Sequence, residues 1–372
     1  MRNFTLGKME TFDLLRLPLL AICNCLEFMD IFEVLDLSLT SKRAFKLVQC
    51  INWTIIDTQV FFSKDSKIMI QLSNYPGQKW VFDFEEDFDI HEEGLITRKI
   101  GPISYPTQRV IDVKGEKTFF HMFFPYDNQN QNIRLIIEYL SQIFRTPVRC
   151  VSIEELDDAE TLSILQWLAT IQPSIQSLDL DTEMVSDCTG LFVLESLKVT
   201  NDVSLNAKLT KSLGYSQPID VRALHIGEMD WVTFECILNG RNEIVTVAES
   251  SLEPSDLNFI LKAWLNRESF ENLEYLEVCR YNLRSDDGRV EDPGEVFNEI
   301  TKDIEFKEHI RNEKRPMQVV DRKEVSITVE QDGCFDIVRE GKIGTFSHNY
   351  SVEREKNPRV FHHFTLHVWK TD

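Results

Sequence analysis

Residues 14–43 read LLRLPLLAICNCLEFMDIFEVLDLSLTSKR. Pro18 stands where a helix begins, because its missing N–H costs nothing in a first turn. Leu19, Ile22, Leu26 and Met29 then recur at helical spacing, with Leu20 off that stripe. Asp30 followed by Glu33 has the form of a capping box: each side chain can reach the other residue's backbone amide. A second helix over IFEVLDLSL follows, and Thr40 or Ser41 can start a third over KRAFKLVQC. In the second helix Ile31, Val34, Leu35, Leu37 and Leu39 point nearly all round. About forty residues cannot bury that much apolar surface among themselves. A further surface has to cover it, either the rest of the chain or another protein, and apolar grooves between helices suit docking of a partner.

The chain as a whole has 372 residues, room for two or three structural units. Its formal net charge is −21, yet the first 50 residues carry six Lys/Arg and six Asp/Glu. The acidic excess therefore lies beyond residue 50, and a field of that sign repels phosphate backbones and anionic lipid. The expectation is no nucleic-acid partner and no membrane partner. The eight cysteines form no CxxC pair, which argues for reduced thiols in the cytoplasm or nucleus rather than a zinc site or disulfide framework. The opening MRNFTLGKME has no apolar core of signal-peptide length, and no uninterrupted run of about 18 apolar residues occurs.

Beyond residue 50 the pattern changes. KIMIQL, KWVFDF and KTFFHMFF alternate as strands do, with turn chemistry in NYPGQ and HEEGL, and predict an antiparallel β segment over 51–129. NIRLIIEYLSQIF is an amphipathic helix that opens a different rhythm. Strand-like runs centred on Ser152, Asp179, Lys198, His225, Thr246 and Glu277 alternate with helical runs such as AETLSILQWLATI, WVTFECILNG and SDLNFILKAWLNR. Their spacing of 19 to 31 residues lies mostly in or close to the leucine-rich-repeat range. The expected fold class is therefore mixed α/β. A three-helix unit at 11–50 and the β segment at 51–129 lead into an irregular leucine-rich-repeat-like solenoid at 130–320. LRSDDGRVEDPGE reads as an exposed loop, and EVSITVE, CFDIVRE, GKIGTFSH and VFHHFTLHVW predict an antiparallel cap over 321–372. If the strands form a curved sheet, Asp179, Lys198, His225, Thr246 and Glu277 line its open face and are the candidate substrate-binding residues.

The N-terminal stretch closely resembles the F-box motif, in the version found in expanded nematode families. The matching residues are Leu17–Pro18, Ile22, Leu26, Met29–Asp30, Glu33, Leu35, Leu37, Ser38 and Ser41–Lys42–Arg43. Many members carry Trp soon after the basic pair, where this sequence has Ala44–Phe45, and Cys23 and Cys25 replace more usual residues. The resemblance implies docking onto the Skp-type adaptor of an SCF (cullin–RING) ubiquitin ligase, with Leu15, Leu17, Pro18, Ile22, Leu26, Leu35 and Leu37 as the contact set. Roughly residues 190–280 are similar to the F-box-associated domain, second type. Trp264 in LKAWL and the strand LEYLEV carry most of that likeness. It implies recognition of an unknown protein substrate for ubiquitination.

No catalytic constellation competes with this reading. GxSxG, HExxH and P-loop motifs are missing from the sequence. Glu154–Glu155 and Asp157–Asp158 read as helix-start charges, and Cys23 sits in apolar surroundings that raise a thiol pKa. His362, His363 and His367 lie close together, but on a strand His363 and His367 share a face while His362 points away, with no carboxylate or Cys at ligand spacing. The expectation is a non-catalytic adaptor subunit with no cofactor and no metal, bound to a Skp-type adaptor and through it a cullin. The alternative is a Skp-binding scaffold acting outside ubiquitination.

Overall fold

A computed structural model of the chain describes residues 14–51, 53–84, 95–125, 129–282, 292–309, 318–320, 326–328, 333–353 and 359–370. The turn expected at 91–94, most of the charged loop from 283 and the turn before residue 333 lie outside them. By its contacts the chain divides into Met1–Val151 and Ser152–Asp372. Among the described residues no helix is long and apolar enough to cross a membrane.

The first unit opens with a 3-10 turn, Leu14–Arg16, and three helices: α1 (Leu19–Leu26), α2 (Ile31–Thr40) and α3 (Lys42–Gln49). The Asp30 carboxylate accepts from the Glu33 amide at 2.8 Å, and the Glu33 carboxylate accepts from the Asp30 amide at 3.0 Å. Two amides with no helical partner are thus satisfied reciprocally, which fixes where α2 begins. Ser41 caps α3 through the Ala44 amide at 3.1 Å. Six strands follow: β1 (Ile55–Phe62), β2 (Ser66–Leu72), β3 (Gln78–Phe84), β4 (Ile96–Ile100), β5 (Ile103–Lys114) and β6 (Lys117–Phe123). Their order is β1-β2-β3-β6-β5-β4. All neighbours are antiparallel except β3 and β6, which pair in parallel and depart from the antiparallel expectation.

Helix α4 (Gln129–Phe144) also belongs to this unit, rather than opening the solenoid. Its Tyr139 hydroxyl meets Ser38 Oγ of α2 at 2.9 Å, its ring lies 5.7 Å from Phe45 of α3, and Gln49 donates to the Gln142 carbonyl. Phe144 stacks edge-on against Trp53 at 5.5 Å. Helix α2 is seated on the β layer as well: Phe32 and Phe82 meet edge-to-face at 5.2 Å, and Asp36 binds Arg98 and Arg109 of β4 and β5.

Strand β7 (Cys150–Glu154) runs across the boundary between the units. The second unit continues with α5 (Asp158–Ile171), β8 (Ile175–Asp181), β9 (Met184–Val185) and α6 (Asp187–Leu191). A π-helical turn, Phe192–Ser196, leads into β10 (Val199–Leu205), β11 (Lys208–Leu209), β12 (Ala223–Glu228) and α7 (Phe234–Asn239). Then come β13 (Ile244–Ser250), α8 (Pro254–Leu265), β14 (Tyr275–Asn282) and α9 (Pro293–Ile300). The last strands are β15 (Lys307–Glu308), β16 (Gln318–Val320), β17 (Ser326–Thr328), β18 (Cys334–Arg339), β19 (Lys342–Glu353) and β20 (Arg359–Lys370).

Strands β8, β10, β12, β13 and β14 lie side by side in parallel. Antiparallel β20, β19, β18 and β15 extend the sheet beyond β14. Parallel strands need a crossover each time, which is why the helical runs fall between them. The expected leucine-rich-repeat-like solenoid is not what forms. A solenoid stacks equivalent repeats, whereas these crossovers differ: one contains β9, α6 and the π turn, another a 3-10 turn (Met229–Trp231) and the six residues of α7, a third the twelve of α8. The result is a mixed sheet with a parallel centre.

Burial follows the pleat. Leu178, Leu180, Val203, Leu205, Leu224, Ile226, Val245, Val247, Leu276 and Val278 are all at most 3% exposed. Helix α8 covers the continuation of this face across the antiparallel strands: the Trp264 ring lies against Gly344 of β19, close enough that a Cβ there would come within 3.0 Å of it. The alternate positions carry the polar side chains.

Candidate functional site

In the first unit, the seven residues expected to contact a partner divide by burial. Ile22 is 2% exposed and Leu26 and Leu35 are 0% exposed, so these three are core of the unit and present no surface. Leu17 and Leu37 are half-buried and Pro18 is exposed; the side chain of Leu15 lies outside the described residues. Three residues outside that set are the most open: Leu19 at 57%, Leu20 at 75% and Phe28 at 84%. The cause is the short α1. Its Ile22–Leu26 edge turns inward, which leaves Leu19 and Leu20 on the first turn and Phe28, just past the last, facing outward. Leu20 was the residue lying off the apolar stripe, and that offset is the signal in the sequence for an outward apolar side chain. Pro18, Leu19, Leu20 and Phe28 form an apolar edge, although single exposed leucines are ordinary. Phe45 is engaged within the unit by Tyr139.

In the second unit, hydrogen-bond register aligns Asp179, His225, Thr246 and Glu277 in one row across β8, β12, β13 and β14. Lys198 is not in it. That residue is exposed and precedes β10, and Ser204 takes its place, paired with Asp179 on one side and His225 on the other. Leu197–Lys198–Val199 and Val203–Ser204–Leu205 both alternate apolar and polar. Lys198 falls between the π-helical turn ending at Ser196 and the start of β10 at Val199, and the register of β10 on β8 shifts between Val199 and Asp202, so that Ser204 meets Asp179. His225 Nδ1 lies 2.8 Å from Thr246 Oγ1, and Thr365 and Ser347, which share a 2.7 Å hydrogen bond, continue the row onto β20 and β19.

The row is richest at Glu277. The Tyr275 hydroxyl donates to Oε2 at 2.8 Å, and His363 of β20 lies 2.7 Å from Oε1. A hydrogen bond with Cys279, then the Glu277 carboxylate, push the His363 imidazole up to about 10. His363 in turn holds the Glu277 carboxyl below its ordinary value. His367 on the same face is 2% exposed, its ring 4.7 Å from Tyr275, and burial pushes it down to about 4. His362 points to the opposite face, where its Nδ1 lies 3.1 Å from His348 Nε2. Sequence spacing along one strand showed no carboxylate or cysteine beside these histidines; the pairing of β14 with β20 supplies both.

Elsewhere the chemistry is structural. Asp157 caps α5 through the Glu160 amide at 2.8 Å, and Asp158 accepts from the Ser186 amide and the Thr189 hydroxyl. Cys236 is 1% exposed, and burial pushes its thiol up to about 11, the reverse of what a nucleophile needs. A cavity of about 730 Å3 opens near Arg241, Arg267 and Arg339, but Arg267 pairs with Glu340 and Arg339 donates to the Trp264 carbonyl.

Comparison with known proteins places both regions. The F-box domain family matches residues 14–52, and the F-box associated family matches residues 216–278. The chain carries an F-box domain and an F-box associated domain. Its F-box is the three-helix edge just described, and its F-box associated segment runs from just before β12 through the Glu277–Cys279 strand. The chain is 26% identical over 284 residues to the Caenorhabditis elegans protein named "Uncharacterized protein F59B2.8", covering 74% of this chain and 61% of that one. To "Uncharacterized protein F59B2.9" of the same organism it is 21% identical, covering 74% and 63%. The match thus spans less than two thirds of the length of these relatives. No solved structure matches the chain.

Proposed function

We propose that this F-box protein is the substrate-recognition subunit of an SCF-type ubiquitin ligase. The carrying observation is an F-box whose own chain buries its inner leucines yet leaves Pro18, Leu19, Leu20 and Phe28 open at one edge. Exposed aromatic and aliphatic side chains next to a packed core are what a helical partner can desolvate. That edge, with Leu17 and Leu37 beside it, docks the Skp-type adaptor and through it a cullin. The polar row of the second unit, Asp179, Ser204, His225, Thr246 and Glu277, captures the target protein. The subunit contributes binding rather than covalent chemistry: holding a substrate lysine near a ubiquitin thioester raises its effective concentration. Eight cysteines, none of them in a disulfide, fit a reducing compartment, cytoplasm or nucleus.

Co-purification of the folded protein with a Skp-type adaptor and a cullin tests the reading. Recovery of both supports it, and Leu20→Asp with Phe28→Asp removes both. Recovery of the adaptor without a cullin replaces ubiquitination with scaffolding. Recovery of neither by soluble, folded protein rejects both forms.

A further inference from the structure

We propose that Glu277, Cys279 and His363 bind a zinc ion, a site independent of adaptor docking. A carboxylate oxygen, the Cys279 sulfur and a His363 ring nitrogen lie within 4.8 Å of one another. The set of oxygen, sulfur and nitrogen donors is the one zinc accepts. Zinc's bond lengths of about 2.0–2.3 Å put neighbouring ligands of a tetrahedral site roughly 3–4 Å apart. Small side-chain rotations therefore bring these three to coordination distance, opening the 2.7 Å His363–Glu277 contact so that the ion takes the place of the shared proton.

The backbone supports the site more firmly than a loop would. Glu277 and Cys279 are two apart on β14 and so share a face, and Cys279 is directly opposite His363 on antiparallel β20. Side chains opposite one another across such a pair start from Cβ atoms about 5 Å apart. A supporting contact is also present. The Tyr275 hydroxyl, 1% exposed as a residue, donates to the Glu277 oxygen that does not face His363. Outer hydrogen bonds of this kind orient metal-binding carboxylates. The three ligand side chains are half-buried, so the fourth coordination position faces solvent and takes water.

The test uses the full chain, reduced, stripped with a chelator and titrated with zinc chloride against a chromophoric competitor, and separately with cobalt chloride. The expected result is one equivalent of zinc and a thiolate-to-cobalt charge-transfer band in the near ultraviolet. Cys279→Ser abolishes the band and weakens zinc binding by more than tenfold, and His363→Gln weakens it likewise. Tyr275→Phe keeps the band but weakens zinc binding by about tenfold. Cys50→Ser, an exposed thiol elsewhere, changes neither. Circular dichroism of each metal-free variant checks the fold, and Glu277→Gln substitutes for any variant that fails it. Less than half an equivalent of zinc bound by the wild type overturns the proposal. So does affinity that is unchanged in the folded Cys279, His363 and Glu277 variants.

Discussion

Replacing Leu20 and Phe28 with alanine separates a docking edge from a packing edge within one short helix region. Leu20 is 75% and Phe28 84% exposed, so almost all of each side chain remains available for burial by a partner. Full burial of such side chains contributes about 1.5–3 kcal/mol each; scaled by exposure, about 1.5 for Leu20 and 2 for Phe28. The double variant then loses about 3.5 kcal/mol of adaptor affinity, roughly a 300-fold rise in Kd. Its folding stability should change by less than about 0.5 kcal/mol, because neither side chain is in the core. Leu26→Ala is the reciprocal probe: at 0% exposure it leaves a cavity and costs about 2–5 kcal/mol of stability. The fraction of Leu26→Ala that stays folded should bind the adaptor as tightly as wild type. Calorimetric titration with a purified Skp-type adaptor reads the first quantity, and urea unfolding reads the second. Unchanged adaptor affinity in folded Leu20→Ala/Phe28→Ala protein refutes the assignment of this edge.

Other perturbations probe the supports of the two surfaces. Asp36→Ala strips the carboxylate from Arg98, whose side chain is 3% exposed; Asp36 itself is 41% exposed, so the loss falls below the roughly 3–5 kcal/mol of a fully buried pair, at about 2 kcal/mol by urea unfolding. Pairing it with Arg98→Met should restore much of that, and a single-variant loss under about 0.5 kcal/mol would contradict the packing of α2 on the sheet. His367 is buried neutral with its pKa at about 4, below the unfolded value of 6.5. The unfolded chain therefore takes the proton first, and the stability this residue contributes is full above about pH 6.5 and lost as pH falls through 4. Between pH 7 and 4.5 the wild type should lose about 2 kcal/mol more than His367→Gln; parallel stability–pH curves would remove the effect. At Gly227 of β12 a Cβ would stand 2.9 Å from Asn206 Cα and 3.1 Å from the Leu205 carbonyl oxygen. Gly227→Ala should cost about 1–3 kcal/mol in thermal or urea unfolding, and a neutral result would mean the approach to β10 is not tight.

Local chemistry was legible wherever one segment contains all of its own partners. The Asp30–Glu33 box, the Ser41 cap and the Asp157 cap are satisfied within three residues, so the sequence states them completely. Strand runs were legible through their alternation, and so was the opposition of His362 to His363 and His367, because the pleat alone dictates it. Lys198 was misplaced because two neighbouring triplets alternate equally well, and only the ladder that pairs Ser204 with Asp179 and His225 distinguishes them. The stripe of helix α4 says that a face is buried, not what buries it, and its partners are α2 and α3 rather than the strands that follow it.

The same distinction separates what the sequence determined by itself from what the tertiary structure decided. Periodicity and capping established three N-terminal helices with more apolar surface than they can hide, and an α/β body rich in strands. Which face of α2 turns inward was decided by Phe82, Arg98 and Tyr139, side chains far along the chain that seat that helix. Likewise Glu277 and Cys279 share a face by pleat alone, but His363 reaches them only through the register of β20 on β14. Hydrogen bonding between distant strands sets that register, and no spacing within either strand encodes it.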